Sequence, residues 1–191
     1  RSSDLELQKS ENLGRLKTTT AMGDANNDGF YEEIYGYGGR SFAIMDGNSG
    51  NIIYDSGNDI AVRTAFTGFF NWNEDAGSFD DRSDDKGAEP EAITVGDIDG
   101  KSYAFVGLER QGGIMMYDIT GIIKPKFVGY FNGRNFFGDG TKMTGGDISP
   151  ESLVFIPADK TPPAYRALNN SPLLIGAYEL SGSTAVYQIN N

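Results

Sequence analysis

The segment from residue 24 to residue 32 has the residue types and the spacing of a calcium-binding loop. Oxygen-bearing side chains stand at relative positions 1, 3, 5 and 9, and a glycine at position 6 permits a sharp turn. The backbone carbonyl at position 7 completes such a cage of hard oxygen ligands. The predicted Ca²⁺ ligands are the side chains of Asp24, Asn26, Asp28 and Glu32 and the backbone carbonyl of Phe30.

This loop differs from an EF-hand, which needs a bidentate acid at position 12, where this chain has Tyr35. No helical pattern flanks it, and the spacing matches the shorter calcium hairpins between strands of propeller blades. We therefore expect a structural ion that ties a hairpin together. The alternative interpretation is a turn rich in Asn, Asp and Gly that holds no metal.

A second set of acidic residues follows from an internal repeat. Pro90-Glu91 recurs as Pro150-Glu151 at the start of a strand, and Glu109 and Glu179 each end the strand that follows. Because strand direction alternates within an antiparallel unit, all four glutamates should lie at one end of the fold. The long acidic loop 56–89 should reach the same end.

The chemistry that this acidic end could support is metal-dependent hydrolysis of a phosphate ester. Its candidate metal ligands are the carboxylates of Asp84, Asp85, Glu91, Glu109, Glu151 and Glu179, and its candidate phosphate-binding groups are Arg82, Lys86 and Arg110. Loop 56–89 is long for a segment without structure of its own, which favours a function. The alternative is that the charges are merely solvated and that the glutamates cap strand ends.

Composition limits the possible chemistry and partners. The chain of 191 residues has no Cys and no His, which excludes a disulfide framework, a thiolate nucleophile and a histidine base. Any metal should be hard and bound by oxygen. The formal net charge of −11 opposes nucleic acids and anionic membranes as partners, and no apolar run is long enough for a transmembrane segment.

The elements that must position these residues are short strands. The chain has 26 glycines, and they separate short runs rich in Val, Ile, Phe and Tyr, which is typical of an all-β fold. We expect three antiparallel units at about 16–55, 90–131 and 150–189. The predicted strands are 16–21, 31–37, 41–46 and 51–55 in the first unit, 92–97, 102–108, 113–118 and 126–131 in the second, and 152–157, 172–178 and 183–189 in the third.

Repeated units of about four short strands are typical of β-propeller blades. Three blades do not close a ring, since propellers usually have four to eight, and the third unit has only three strands. We therefore expect a single partial propeller domain, completed by an N-terminal half or by another chain. The alternative is a free-standing domain of three sheets or a sandwich.

The sequence also resembles the choice-of-anchor I family. The similarity is carried by the blocks 11–16, 23–33, 54–57 and 82–87, by Glu89-Pro90-Glu91, and by Gly107-Leu108-Glu109-Arg110, and it extends through Glu179-Leu180-Ser181-Gly182. The resemblance implies a secreted or surface-anchored protein with a propeller-like domain. Some relatives carry phosphatase-like names, but the resemblance supplies no catalytic residues.

Two functions are then in competition. The first is a non-catalytic, extracellular or cell-surface, calcium-binding propeller that serves adhesion, matrix or mineral contact. The second is the metal-dependent phosphoesterase described above. A sequon at Asn169 also permits glycosylation in a secreted eukaryotic protein.

Overall fold

The computed structural model describes residues 2–74, 77, 79–164 and 171–190, and antiparallel strands dominate it. The strands are β1 (Thr18–Thr19), β2 (Tyr35–Gly36), β3 (Ala43–Met45), β4 (Ile52–Asp55), β5 (Pro90–Ile98), β6 (Lys101–Leu108), β7 (Ile114–Asp118), β8 (Lys126–Phe131), β9 (Pro150–Ile156), β10 (Leu173–Tyr178) and β11 (Ser183–Gln188). Two short α-helices, α1 (Ser2–Leu7) and α2 (Asp59–Thr64), and two single turns of 3₁₀ helix, Gly140–Lys142 and Ala158–Lys160, complete the secondary structure. The predicted all-β class is confirmed.

The strands form small antiparallel sheets, as expected of blades. A four-stranded sheet runs in the order β5-β6-β7-β8, and a three-stranded sheet runs in the order β11-β10-β9. Their strands lie where the sequence predicts them, and the third unit has three strands, as expected. The inner strands β5 and β9 lie against each other, which brings the two Pro-Glu strand starts together.

The first unit differs from the prediction of one four-stranded sheet. Its strands form two separate pairs, β1 with β2 and β3 with β4. The strands of the first pair have only two residues each, too few to bury much apolar surface. On the second pair, Met45 and Ile52 are opposite each other and more than half exposed, while Tyr54 and Phe42, the residue that precedes β3, pack inward. This unit therefore depends on its contact with the four-stranded sheet.

The core lies on both faces of the four-stranded sheet. Alternate residues of β6 point to opposite sides, so Val106 and Leu108 pack toward Phe42 and Ile60, whereas Phe105 packs toward the three-stranded sheet. The second half of β6 is buried throughout, as expected for a strand covered on both faces. The stacked rings of Phe105 and Phe155, with centroids 5.8 Å apart, join the two larger sheets.

The loop 56–89 contains helix α2, contrary to the prediction that it has no structure of its own. Asp59 forms an i,i+4 ion pair with Arg63 at 2.6 Å and accepts a hydrogen bond from the Tyr117 hydroxyl at 2.9 Å. Ile60 is buried in the core, which fixes the helix to the four-stranded sheet. Sequence periodicity misses this helix because it has only six residues. Among the described residues no helix is long and apolar enough to cross a membrane.

Candidate functional site

The aspartate loop, residues 24–32, connects the paired strands β1 and β2. Those strands pair in the register Thr18↔Gly36 and Thr19↔Tyr35. At the base of the loop the carbonyl of Gly23 accepts hydrogen bonds from the backbone N–H groups of Glu32, at 2.8 Å, and Glu33, at 3.2 Å. The structure therefore confirms that the loop is a hairpin connection, on which the prediction of a structural ion depends.

Within the aspartate loop, backbone N–H groups hold the side-chain oxygens in place. The carboxylate of Asp24 accepts hydrogen bonds from the N–H groups of Asp28 and Gly29, each at 3.0 Å. The side-chain oxygen of Asn26 accepts from the Asp28 N–H at 2.9 Å, and the Asp28 carboxylate accepts from the Phe30 N–H at 2.8 Å. Gly29 has a φ of 89°, the left-handed region that the glycine was expected to supply.

Glu32 returns to the beginning of the loop. One of its carboxylate oxygens accepts from the Ala25 N–H at 3.1 Å, and the other accepts from the Asn26 side-chain amide at 3.3 Å. Phe30 is 77% exposed. Its side chain has no oxygen atom, so the ligand that this residue can offer a metal is its backbone carbonyl. All five predicted ligands thus lie in one loop, but among the described residues the carboxylates of Asp24, Asp28 and Glu32 do not come within 4.8 Å of one another as a group. Calcium itself remains a prediction.

The second site is the glutamate cluster, at the end of the fold where β5 and β9 begin. Carboxylate oxygens of Glu89, Glu91 and Glu109 lie within 4.8 Å of one another, and those of Glu109, Glu151 and Glu179 form a second such group. The structure thus brings together the four glutamates predicted from the repeat. Glu109 belongs to both groups and joins them.

The backbone builds this cluster in the same way in both sheets. The residue before each Pro-Glu pair has a positive φ, 53° at Glu89 and 67° at Ser149. The carbonyl of Glu89 accepts a hydrogen bond from the Glu109 N–H at 2.7 Å, and that of Ser149 accepts one from the Glu179 N–H at 2.8 Å. The repeat therefore fixes where the glutamates lie.

Glu89 is a central member of the cluster that sequence reasoning did not select. Its side chain is 3% exposed and forms ion pairs with Arg82 at 2.5 Å, Lys86 at 2.5 Å and Arg110 at 3.2 Å. Burial opposes its ionisation, but the hydrogen bonds from Lys86 and Arg82 outweigh burial and keep the pKa of Glu89 below its usual range. In the sequence, Glu89 is marked by its place directly before Pro90-Glu91, the position that Ser149 occupies in the second copy of the repeat.

Glu109 has the opposite electrostatic character. It is 4% exposed, and burial together with hydrogen bonds to Glu91 and Glu89 raises its pKa to about 8, although Arg110 approaches it at 3.0 Å. Glu151 is exposed, but reduced hydration and a hydrogen bond with Glu179 also raise its pKa. The carboxyl of Glu109 therefore retains a proton at neutral pH, shared with its acidic neighbours.

The structure does not bring Asp84 and Asp85 into the glutamate cluster. The Asp85 carboxylate pairs with Lys17 at 2.9 Å and Arg82 at 3.0 Å. Asp84 lines a separate pocket formed with residues of the segment 10–16. Arg40, which sequence reasoning also missed, donates to the backbone carbonyl of Asp85 at 2.6 Å. The two aspartates thus lie where loop 56–89 meets the first unit.

The predicted phosphate-binding cations are already engaged. Arg82, Lys86 and Arg110 all contact Glu89, and Arg110 also pairs with Glu74. Because these three cations are paired with the buried Glu89, they are not available to an anion. The other carboxylates of the cluster leave it better suited to a cation. The glycosylation candidate Asn169 lies outside the described residues and stays a prediction.

Comparison with known proteins gives two matches. The family model of the choice-of-anchor I domain matches residues 2–122, a range that contains the aspartate loop, loop 56–89, Glu91 and Glu109. Gigasin-3a of Magallana gigas is 27% identical over 198 residues, which cover 96% of this chain and 66% of that protein. The chain thus spans just under two thirds of the length of this relative. No solved structure matches the chain.

Proposed function

This chain belongs to the choice-of-anchor I family, and from that premise we propose that it is part of a secreted or cell-surface β-propeller protein that binds Ca²⁺ and has a non-catalytic role in matrix, adhesion or mineral contact. The family match and the similarity to Gigasin-3a support a secreted or surface propeller-like protein. Calcium binding and the role in a matrix go further and are argued from the residues.

The observation that supports calcium binding is the arrangement of the aspartate loop. The side chains of Asp24, Asn26 and Asp28 alternate in sequence, and each accepts a hydrogen bond from a backbone N–H group of the same loop. Three acidic residues in a loop of nine repel one another unless a cation neutralises them. A bound Ca²⁺ would contribute its binding free energy to the stability of the first hairpin.

The glutamate cluster supports a non-catalytic role for the end of the propeller at which β5 and β9 begin. Removal of Arg82, Lys86 and Arg110 from Glu89 to meet a phosphate would leave a buried carboxylate without these partners, which costs several kcal/mol. The cluster therefore fits a surface that meets cations, such as those of a mineral, better than a site that turns over phosphate esters.

Thermal unfolding with and without Ca²⁺ tests the calcium proposal. We expect the double variant Asp24→Ala/Asp28→Ala to lose more melting temperature, relative to the wild type, in millimolar Ca²⁺ than in EDTA, where only its loop hydrogen bonds are lost. Asp46→Ala is a matched control, because Asp46 holds the β3–β4 turn through bonds from Asn48 and Ser49, and its effect should be the same in both buffers. An equal loss for the double variant in EDTA would contradict calcium binding.

The alternative function is a metal-dependent phosphoesterase, favoured by the close approach of Glu109 to Glu151 and Glu179. A chromogenic phosphate ester tested with Ca²⁺, Mg²⁺ and Zn²⁺ separates the two functions. We expect no metal-dependent hydrolysis above background. Hydrolysis that Glu91→Gln and Glu109→Gln abolish, while Glu11→Gln preserves it, would establish the enzyme instead.

A further inference from the structure

The outer edge of the three-stranded sheet is the feature from which we draw a further inference. Its strands β9, β10 and β11 correspond to β5, β6 and β7 of the four-stranded sheet, since both sets begin with Pro-Glu and pair in the same order. In the four-stranded sheet β8 covers the edge of β7. Among the described residues no strand takes that place beside β11.

The register shows which peptide groups of β11 face the uncovered edge. The N–H of Ile189 donates to the carbonyl of Pro172 at 3.0 Å, and the same register pairs Tyr187 with Leu174. The odd-numbered residues of β11 therefore direct their peptide N–H and C=O groups toward β10. The peptide N–H and C=O groups of Thr184 and Val186 point away from β10, and in the described part of the chain no hydrogen bond to them is made.

The chemistry of β11 leaves this edge open to pairing. Ser183–Gln188 contains no charged residue and no proline, the features with which proteins protect a free edge. Beside it lies a groove of about 560 Å³, lined by Met116, Phe131, Val186 and Ile189 among other residues. Phe131 is 53% exposed and Val186 is 45% exposed, so an added strand would find apolar surface for its side chains.

Two arguments identify the strand that fits this edge. A pair of six-residue edges from two copies of the chain buries much less than the roughly 1,200 Å² of a stable interface. A strand on the same polypeptide needs no such area, because a covalent connection gives it an effective concentration in the millimolar range. In addition, about a third of the length of Gigasin-3a lies outside its match with this chain, which is enough for further strands.

We propose that a strand from the same polypeptide, outside residues 1–191, pairs antiparallel with β11 through the peptide groups of Thr184 and Val186 and fills the adjoining groove. The strand would complete the third blade and remove the free edge. This inference rests on the proposed propeller, but it does not depend on calcium, so the two proposals can fail separately.

Hydrogen exchange in the intact polypeptide, isolated from its natural source and measured in EDTA, tests the inference. We expect the amides of Thr184 and Val186 to exchange at least tenfold more slowly than the amide of Gly100 in the exposed turn between β5 and β6, independently of protein concentration. Exchange at the rate of Gly100 would overturn the proposal. Protection that increases with protein concentration would also overturn it, because the partner would then be a second copy.

Two substitutions at one position provide the matched control. Val186→Pro removes an N–H that faces the free edge and leaves every bond to β10 in place, whereas Val186→Thr keeps both the N–H and the β-branched shape. In the intact polypeptide we expect Val186→Pro, but not Val186→Thr, to accelerate exchange at Thr184 by at least tenfold. Equal exchange at Thr184 in the two variants would contradict strand addition.

Discussion

The substitution Glu109→Gln should change how the stability of this protein depends on pH. Glu109 is 4% exposed and its pKa is raised from 4.5 to about 8, because burial and the neighbouring Glu91 and Glu89 oppose its negative charge. The folded state therefore keeps a proton that the unfolded chain releases. Between these two pKa values the stability must fall as the pH rises.

The size of the effect follows from the difference between the two pKa values. Since one pKa unit corresponds to about 1.4 kcal/mol, ionisation of this one group lowers the free energy of unfolding by at most about 5 kcal/mol over the whole window. Roughly 3 kcal/mol of that loss falls between about pH 5.5 and about pH 8.5. A glutamine keeps the shape of the side chain but does not ionise, so the variant should not suffer this loss.

Urea unfolding at several pH values, in EDTA, measures the effect. We expect Glu109→Gln to be as stable as the wild type near about pH 5.5 and more stable by roughly 3 kcal/mol near about pH 8.5. Glu11→Gln removes one negative charge from an exposed position and serves as the control for net charge. If the curves for the wild type and for Glu109→Gln stay parallel across this range, the assigned pKa and its cause are wrong.

Two further substitutions test the packing and the charge network. Gly96→Ala should lower the free energy of unfolding by about 1–3 kcal/mol, because the added Cβ would lie 2.2 Å from the ring of Phe155. A Cβ added at Gly129 meets nothing within 4 Å, so Gly129→Ala should be neutral in the same denaturation experiment. Glu89→Gln should cost about 1.5–3 kcal/mol, since it removes the buried carboxylate that accepts charged hydrogen bonds from Arg82, Lys86 and Arg110. Chemical denaturation should show less than about 1 kcal/mol for the exposed Glu6→Gln. Equal losses for either pair would contradict the structure.

The sequence predicts the larger sheets well because their signals are local and repeated. The Pro-Glu pairs mark the beginnings of β5 and β9, and the alternation of strand direction then places Glu109 and Glu179 at the same end. The aspartate loop is equally readable, because its nine residues contain both the oxygen atoms and the glycine that the turn requires.

What the sequence could not predict depends on contacts between distant segments. Glu89 is recognised as a central residue only when Arg82 and Arg110, from either side of β5 and β6, are seen to converge on it. Helix α2 forms because Ile60 docks on the four-stranded sheet, which no pattern in six residues reveals. Asp85 was expected in the cluster, but Lys17 of the first unit holds its carboxylate elsewhere.

Direct titration of Ca²⁺ into the metal-free protein tests the proposed function most directly. Isothermal titration calorimetry should show saturable binding, with a Kd on the order of 10⁻⁴ M as in extracellular calcium modules. One Ca²⁺ site per molecule should be lost in Asp24→Ala/Asp28→Ala and kept in Asp46→Ala. A wild type that binds no Ca²⁺, or a double variant that binds it as tightly as the wild type does, would contradict the proposed role of the aspartate loop.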